Sequence, residues 1–204
     1  MLLGVDVGGT FTDAVLVNNG IIIKQAKVKT TQEEVLQGIL QALDIVLSGN
    51  ELDAISRVVV SSTIVTNALT EGKTEPVFLA VMAGPGMSTK GRFPTEPYLA
   101  EGYVDHRGQI IKKASVNEKI VEAMAAGKAV AAVSGKFAVR NQKNEQDLRV
   151  KLKETGFKKI FMGSEISGEL NFVRRTNSAY FSAAVYNKFK EFIVFKILSS
   201  NKNV

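Results

Sequence analysis

Cysteine is absent from the 204 residues. The chain therefore makes no disulfide and offers neither a thiolate metal site nor a cysteine nucleophile. A reducing, cytoplasmic setting is the expectation. Histidine occurs once, as His106, and one imidazole builds no histidine metal cluster. No apolar run reaches the length of a bilayer span. The opening MLLGVDVGG is too short and wrongly flanked for a signal peptide, so a soluble protein with no membrane partner is expected. Arginine-rich runs and aromatic RNA-binding signatures are lacking too. The net charge of +6 and the isoelectric point near 9.4 come from lysines spread along the chain, with some clustering after Lys136. This reads as a solvated basic surface rather than a nucleic-acid footprint. Internal repeats and low-complexity tracts are also missing.

What is present fits a globular α/β protein of one domain or two small lobes. Hydrophobic residues make up 45% of the chain, enough to fill a core. Residues 2–7 (LLGVDV), 12–17 (TDAVLV) and 21–29 (IIIKQAKVK) read as three strands, with Asn18-Asn19-Gly20 as a hairpin turn. They form an antiparallel meander. A capping box at Thr31-Gln32-Glu33-Glu34 then opens a helix carrying Val35, Leu36, Ile39, Leu43, Val46 and Leu47 on one face, closed by Ser48-Gly49-Asn50. Strands at 57–61 and 76–83, both read as buried, flank a short helix at 64–71, an order that predicts parallel strands with crossover helices. Residues 84–100 read as an irregular loop and 101–112 as a small hairpin. A second capping box, Ser115 to Glu118, opens a helix that Gly127 closes. Strands at 129–135 and 158–164 and helices at 144–154 and 175–190 complete the pattern. The expected fold is a mixed sheet led by three antiparallel strands, with helices on both faces.

The stretch GVDVGGTFTD, residues 4–13, asks for more than a turn. Two aspartates flank Gly8-Gly9-Thr10 at a strand end. Paired glycines let backbone N–H groups approach an anion without interference from Cβ. Thr10 and Thr12 add hydroxyls. Asp6 is placed to hold a hydrated Mg²⁺, and Asp13 to orient water or make a second metal contact. The set reads as a phosphate-and-magnesium cradle. GxxxxGK[ST] is absent, and no GxGxxG opens a helix, so this is neither a P-loop nor a dinucleotide fingerprint.

Residues 6–13, DVGGTFTD, resemble the first phosphate motif of the hydantoinase A / 5-oxoprolinase family, within the actin, hexokinase and chaperone ATPase superfamily. Three further stretches support the family itself. STIVTNAL (62–69) resembles its TTxxTNAL element, with Ser62 where Gly or Thr is usual. Asp105 to Gly108 resembles its DxxG hairpin. SEISGE (164–169) resembles its SxEVSPE element, with Gly168 in place of Pro, and Arg175 falls where the family has an arginine. The resemblance runs to about residue 187.

It implies a ribonuclease H-like, actin-like ATPase lobe. A core with the phosphate hairpin would occupy 1–83, the remainder of the N-terminal region 84–187, and a divergent tail 188–204. It implies ATP and Mg²⁺ as cofactors, held by Asp6, Gly8, Gly9, Thr10 and Thr12, with Asp6 as metal ligand. It implies ATP-dependent opening of a cyclic amide or imide of the hydantoin or 5-oxoproline class, with the ring carbonyl oxygen phosphorylated as water attacks. A second lobe with its own glycine-rich motif would complete the cleft. No second DxGGT follows residue 13. The expectation is therefore a truncated, split or degraded copy, inactive or poorly active alone, that joins a partner subunit as a homo- or hetero-oligomer. A non-catalytic subunit and a small-molecule kinase lobe are the alternative readings, though a kinase would not carry the TNAL and SEIS elements.

Several residues allow two readings. Thr63, Thr66 and Asn67 begin a helix. They can cap it or, as the resemblance implies, line the substrate site. Glu165, four residues before Glu169, can act as general base or sit in a solvated pair. Arg175 can grip an anionic substrate group or pair with one of those glutamates. Gly84-Pro85-Gly86 can be a lid or a plain loop. His106 reads as a surface residue.

Overall fold

The computed structural model describes residues 1–30, 35–48 and 52–190. The Thr31–Glu34 capping box and the apolar tail beyond 190 lie outside the described residues. The chain divides into two compact units, centred on Met1–Lys73 and Thr74–Asn187.

The first unit opens with β1 (Leu2–Val7), β2 (Phe11–Asn18) and β3 (Ile21–Lys29), close to the expected bounds. Helix α1 (Val35–Val46) crosses to β4 (Arg57–Ser62), after a 3-10 turn at Leu52–Ala54, and α2 (Ile64–Thr70) follows. The sheet order is β3-β2-β1-β4. β1 and β2 run antiparallel, as do β2 and β3, whereas β4 runs parallel to β1. Alternation decides the faces, since successive strand side chains point to opposite sides. Leu3, Val5, Val7, Ala14, Leu16, Ala26 and Val28 point to one side and are buried with Ala42 and Val46 of α1. The opposite side carries Asp6, Asp13 and Lys27, each exposed or half-exposed.

The second unit contains β5 (Val77–Met82), β6 (Tyr98–Leu99), a hairpin of β7 (Glu101–Val104) and β8 (Ile110–Ser115), α3 (Glu118–Ala125), β9 (Val130–Gly135), α4 (Lys143–Glu154), β10 (Lys159–Met162), a one-turn α5 (Gly163–Ile166) and α6 (Phe172–Ala184). Its sheet, β10-β9-β5-β6, is parallel throughout. Every residue of β5 and β9 is buried, as a parallel sheet covered on both faces requires. On one side Phe78, Ala131 and Val133 meet Val121 of α3 and Leu148 and Leu152 of α4. On the other, Leu79, Val81 and Ala132 meet Phe172, Ala179 and Ala183 of α6.

Four expectations change. The strand after α2 does not extend the first sheet; β5 pairs with β9 and β6 instead. Among the described residues, helices cover both faces of the second sheet, while α1 covers one face of the first. The stretch 84–100 is irregular up to Pro97 but ends in β6, where Tyr98 stacks on Phe78 and accepts a hydrogen bond from Asn117 N at 2.8 Å. The second capping box does not form. Ser115 ends β8 and donates to the Glu101 carboxylate at 2.8 Å, so Asn117 becomes the N-cap and accepts from Ile120 N. No helix among the described residues is long and apolar enough to cross a membrane.

Candidate functional site

The hairpin at the end of β1 is closed by Gly8 N donating to Phe11 O at 3.0 Å. Gly8 and Gly9 do not have positive φ. They are glycine for space. A Cβ on Gly8 would stand 2.9 Å from Phe11 O, and one on Gly9 2.9 Å from the Asn67 side-chain amide. The turn and the first residues of α2 therefore touch. β4 delivers α2 to this point: Thr63 N donates to Val7 O at 3.2 Å, and Ser62 Oγ to the same oxygen at 3.1 Å.

Thr63 makes no side-chain cap, so the capping reading of its hydroxyl does not hold. Its hydroxyl receives a long approach from Asn67 Nδ2, 3.5 Å. Thr66, one position before Asn67, is exposed. With seven residues, α2 is too short to bring much of a dipole.

Strand register arranges the charges. Asp6 stands directly opposite Asp13, Asp13 opposite Lys27, and Asp6 opposite Ser61. The four make one row across all four strands, on the face away from α1. Lys27 Nζ bonds Asp13 Oδ1 at 2.7 Å. Like charges opposite one another destabilise a sheet, so folding alone gives no reason for Asp6 beside Asp13. Two carboxylates beside small, open backbone are what a hard cation with an anionic companion requires.

Thr12 is not part of this face. It is fully buried against α1, and its hydroxyl shares a 2.8 Å hydrogen bond with that of Thr30. The period of two puts Thr12 opposite to Asp13, a signal already present in the sequence. Thr12→Val should cost about 1–2 kcal/mol, because Thr30 loses its buried partner. It should leave nucleotide affinity unchanged, as denaturation and calorimetry together would test.

The remaining residues belong to the second unit. Glu165 lies on α5, half-exposed and paired with Arg149 at 2.8 Å. Arg175 is fully buried. It pairs with neither glutamate carboxylate; it donates to the backbone oxygens of Glu169 and Gly135, the latter at 2.7 Å. Buried as it is, it presents no free guanidinium to a substrate, and burial lowers its pKa. Asp105 accepts from the N–H groups of Arg107 and Gln109, closing the hairpin tip that carries exposed His106. Gly84 packs against the Tyr103 ring, where a Cβ would come within 2.3 Å.

Sequence reasoning missed Glu145. It is fully buried, and its carboxylate accepts from Gly135 N at 2.7 Å, Ser164 N at 3.0 Å and Ser164 Oγ. It ties the end of β9 to the start of the SEIS element. Burial raises its pKa, outweighing those hydrogen bonds and the charge of Arg175. The signal existed: Glu145 falls at i, i+3, i+7 with buried Leu148 and Leu152.

A turn of this kind, with paired carboxylates against a strand-helix junction, defines a candidate anion-and-cation site on an α/β lobe. The chain belongs to the hydantoinase/oxoprolinase family, whose N-terminal region its residues 2–156 match. Among solved structures it is similar to an ATP-dependent acetone carboxylase in its nucleotide-free form, with TM-score 0.73 and 19% identity. It is also similar to an ATP-dependent caprolactamase from Pseudomonas jessenii, with TM-score 0.67 and 20% identity. Each likeness covers 96% of this chain and 34% of the other, so the chain spans about a third of their length. No curated protein matches it.

Proposed function

We propose that the chain is the N-terminal lobe of an ATP-dependent hydrolase of cyclic amides or imides, of the hydantoin or 5-oxoproline class. Its first unit is the phosphate-binding part of a ribonuclease H-like, actin-like ATPase core. The observation that carries this is the Gly8-Gly9 turn seated against Asn67, with Asp6 and Asp13 facing each other beside it. The residues fit the implied Mg²⁺. Both carboxylates are hard oxygen donors, and Gly8 and Gly9 keep the turn backbone bare beside them. Mg²⁺ bound there would neutralise phosphate charge.

Asp6 is the proposed metal ligand, and Asp13 orients water or a second metal contact. Gly8, Gly9 and Thr10 offer backbone and hydroxyl groups to phosphate. Thr63, Thr66 and Asn67 line the substrate side. Thr12 is left out, since its hydroxyl is committed to Thr30. Arg175 and Glu145 support the SEIS element from beneath, and Glu165 and Glu169 are its solvent-facing acids. The rest of the site comes from a further lobe or subunit, in keeping with the one-third coverage of the ATP-dependent neighbours.

Calorimetric titration of Mg·ATP and Mg·ADP into the chain, beside Asp6→Ala, tests the reading. We expect saturable binding that falls at least about tenfold in the variant, the loss of one charge-assisted contact. Equal binding by both proteins would remove Asp6 and the hairpin from the site.

A further inference from the structure

Lys27 has no role in the reading above, yet register sets it in the same row as the two aspartates. It lies opposite Asp13 on β3, 2.7 Å from Oδ1, with its ammonium also 5.2 Å from the centre of the exposed Phe11 ring. The pair is open to water: 59% of the Lys27 side chain and 43% of the Asp13 side chain remain exposed. An ion pair in that setting contributes little to stability and is easily exchanged. Its evident electrostatic effect is local. Asp13 already faces Asp6, and Lys27 sets its positive charge on Asp13, the middle member of the row.

We propose that Lys27 is the resident counter-ion of Asp13, occupying the carboxylate until a divalent cation displaces it. Lys27 is then a positioning residue for the phosphate cradle. The displaced ammonium stays tethered to β3, beside the Phe11 ring and next to the turn. The inference rests on the proposed metal role of the Asp6–Asp13 pair. No covalent step is involved; one cation leaves an oxygen and another takes it.

Competition makes a prediction that mere charge does not. Mn²⁺ binding is followed by electron paramagnetic resonance in wild type, Lys27→Met, Asp13→Asn and the double variant, without nucleotide. Both positions are solvent-facing, so the fold is expected to persist, and circular dichroism checks it. Lys27→Met should tighten Mn²⁺ about two- to fivefold, the range an exposed ion pair can account for. The same substitution in the Asp13→Asn background should change nothing, because the contested oxygen is gone. Equal tightening in both backgrounds would mean a long-range field and would overturn the proposal, as would no tightening in either. Absence of both Mn²⁺ and Mg·ADP binding in the wild type would instead overturn the cradle reading, and this proposal with it. Binding of Mn²⁺ without the coupling would sink only the role given to Lys27.

Discussion

Glu145→Ala should unfold the second unit at markedly lower denaturant, with a loss of about 3–5 kcal/mol, the usual cost of stripping one partner from a buried charged network. The carboxylate holds three donors, at Gly135 N, Ser164 N and Ser164 Oγ. Arg175 donates to the oxygen of the same Gly135. Truncation leaves two backbone N–H groups without acceptors and a buried guanidinium without its counter-charge. Glu145→Gln is the sharper probe. Its amide keeps the shape but sets a donor against donors, so some loss remains.

Glu145→Gln should also remove a pH dependence. Burial raises the folded pKa above the ordinary value of 4.5. The folded state therefore holds this proton to higher pH than the unfolded chain does. Stability from the group is full below 4.5 and is lost as pH rises through the folded value. Urea midpoints across that window should fall in wild type more steeply than in Glu145→Gln. Parallel profiles would show that Glu145 titrates alike in both states.

Gly8→Ala should separate the turn from its ligand. The new methyl would meet Phe11 O at 2.9 Å, the same oxygen that closes the hairpin. That oxygen is backbone and cannot swing aside. The hairpin must open or strain, at a cost of about 1–3 kcal/mol, and the N–H groups offered to phosphate move with it. Gly9→Ala differs in kind. Its methyl would press on the Asn67 amide, which can rotate away. Stability should hardly change while Mg·ADP affinity drops, because turn and α2 lose their contact. If Gly9→Ala binds as wild type does, the contact between Gly9 and Asn67 does not shape the cradle. Calorimetry and thermal unfolding on both variants would tell the two effects apart.

Much of the local structure was legible because it is local. The strands at 2–7 and 21–29 follow from apolar runs and a turn at Asn18-Asn19-Gly20, where Asn19 and Gly20 do take positive φ. The DVGGTFTD motif and the family membership were likewise readable from residue order alone. The buried character of β5 and β9 followed from their unbroken apolar composition; the same reading fails for β4, an edge strand whose Val58 and Val59 are exposed.

What sequence determined, then, was which segments are strands and helices, and which short stretch carries acids beside bare backbone. Tertiary structure decided who meets whom. Strand register set Asp6 against Asp13 and Asp13 against Lys27, and residues 14 positions apart are joined by no local signal. Pairing choice sent β5 to β9 rather than to the first sheet, because β-strand hydrogen bonds are generic and only packing selects the neighbour. Burial set Arg175 as a brace for Gly135 and put Glu145 beside it. Those outcomes depend on long-range packing and desolvation, which residue order influences only through the completed fold.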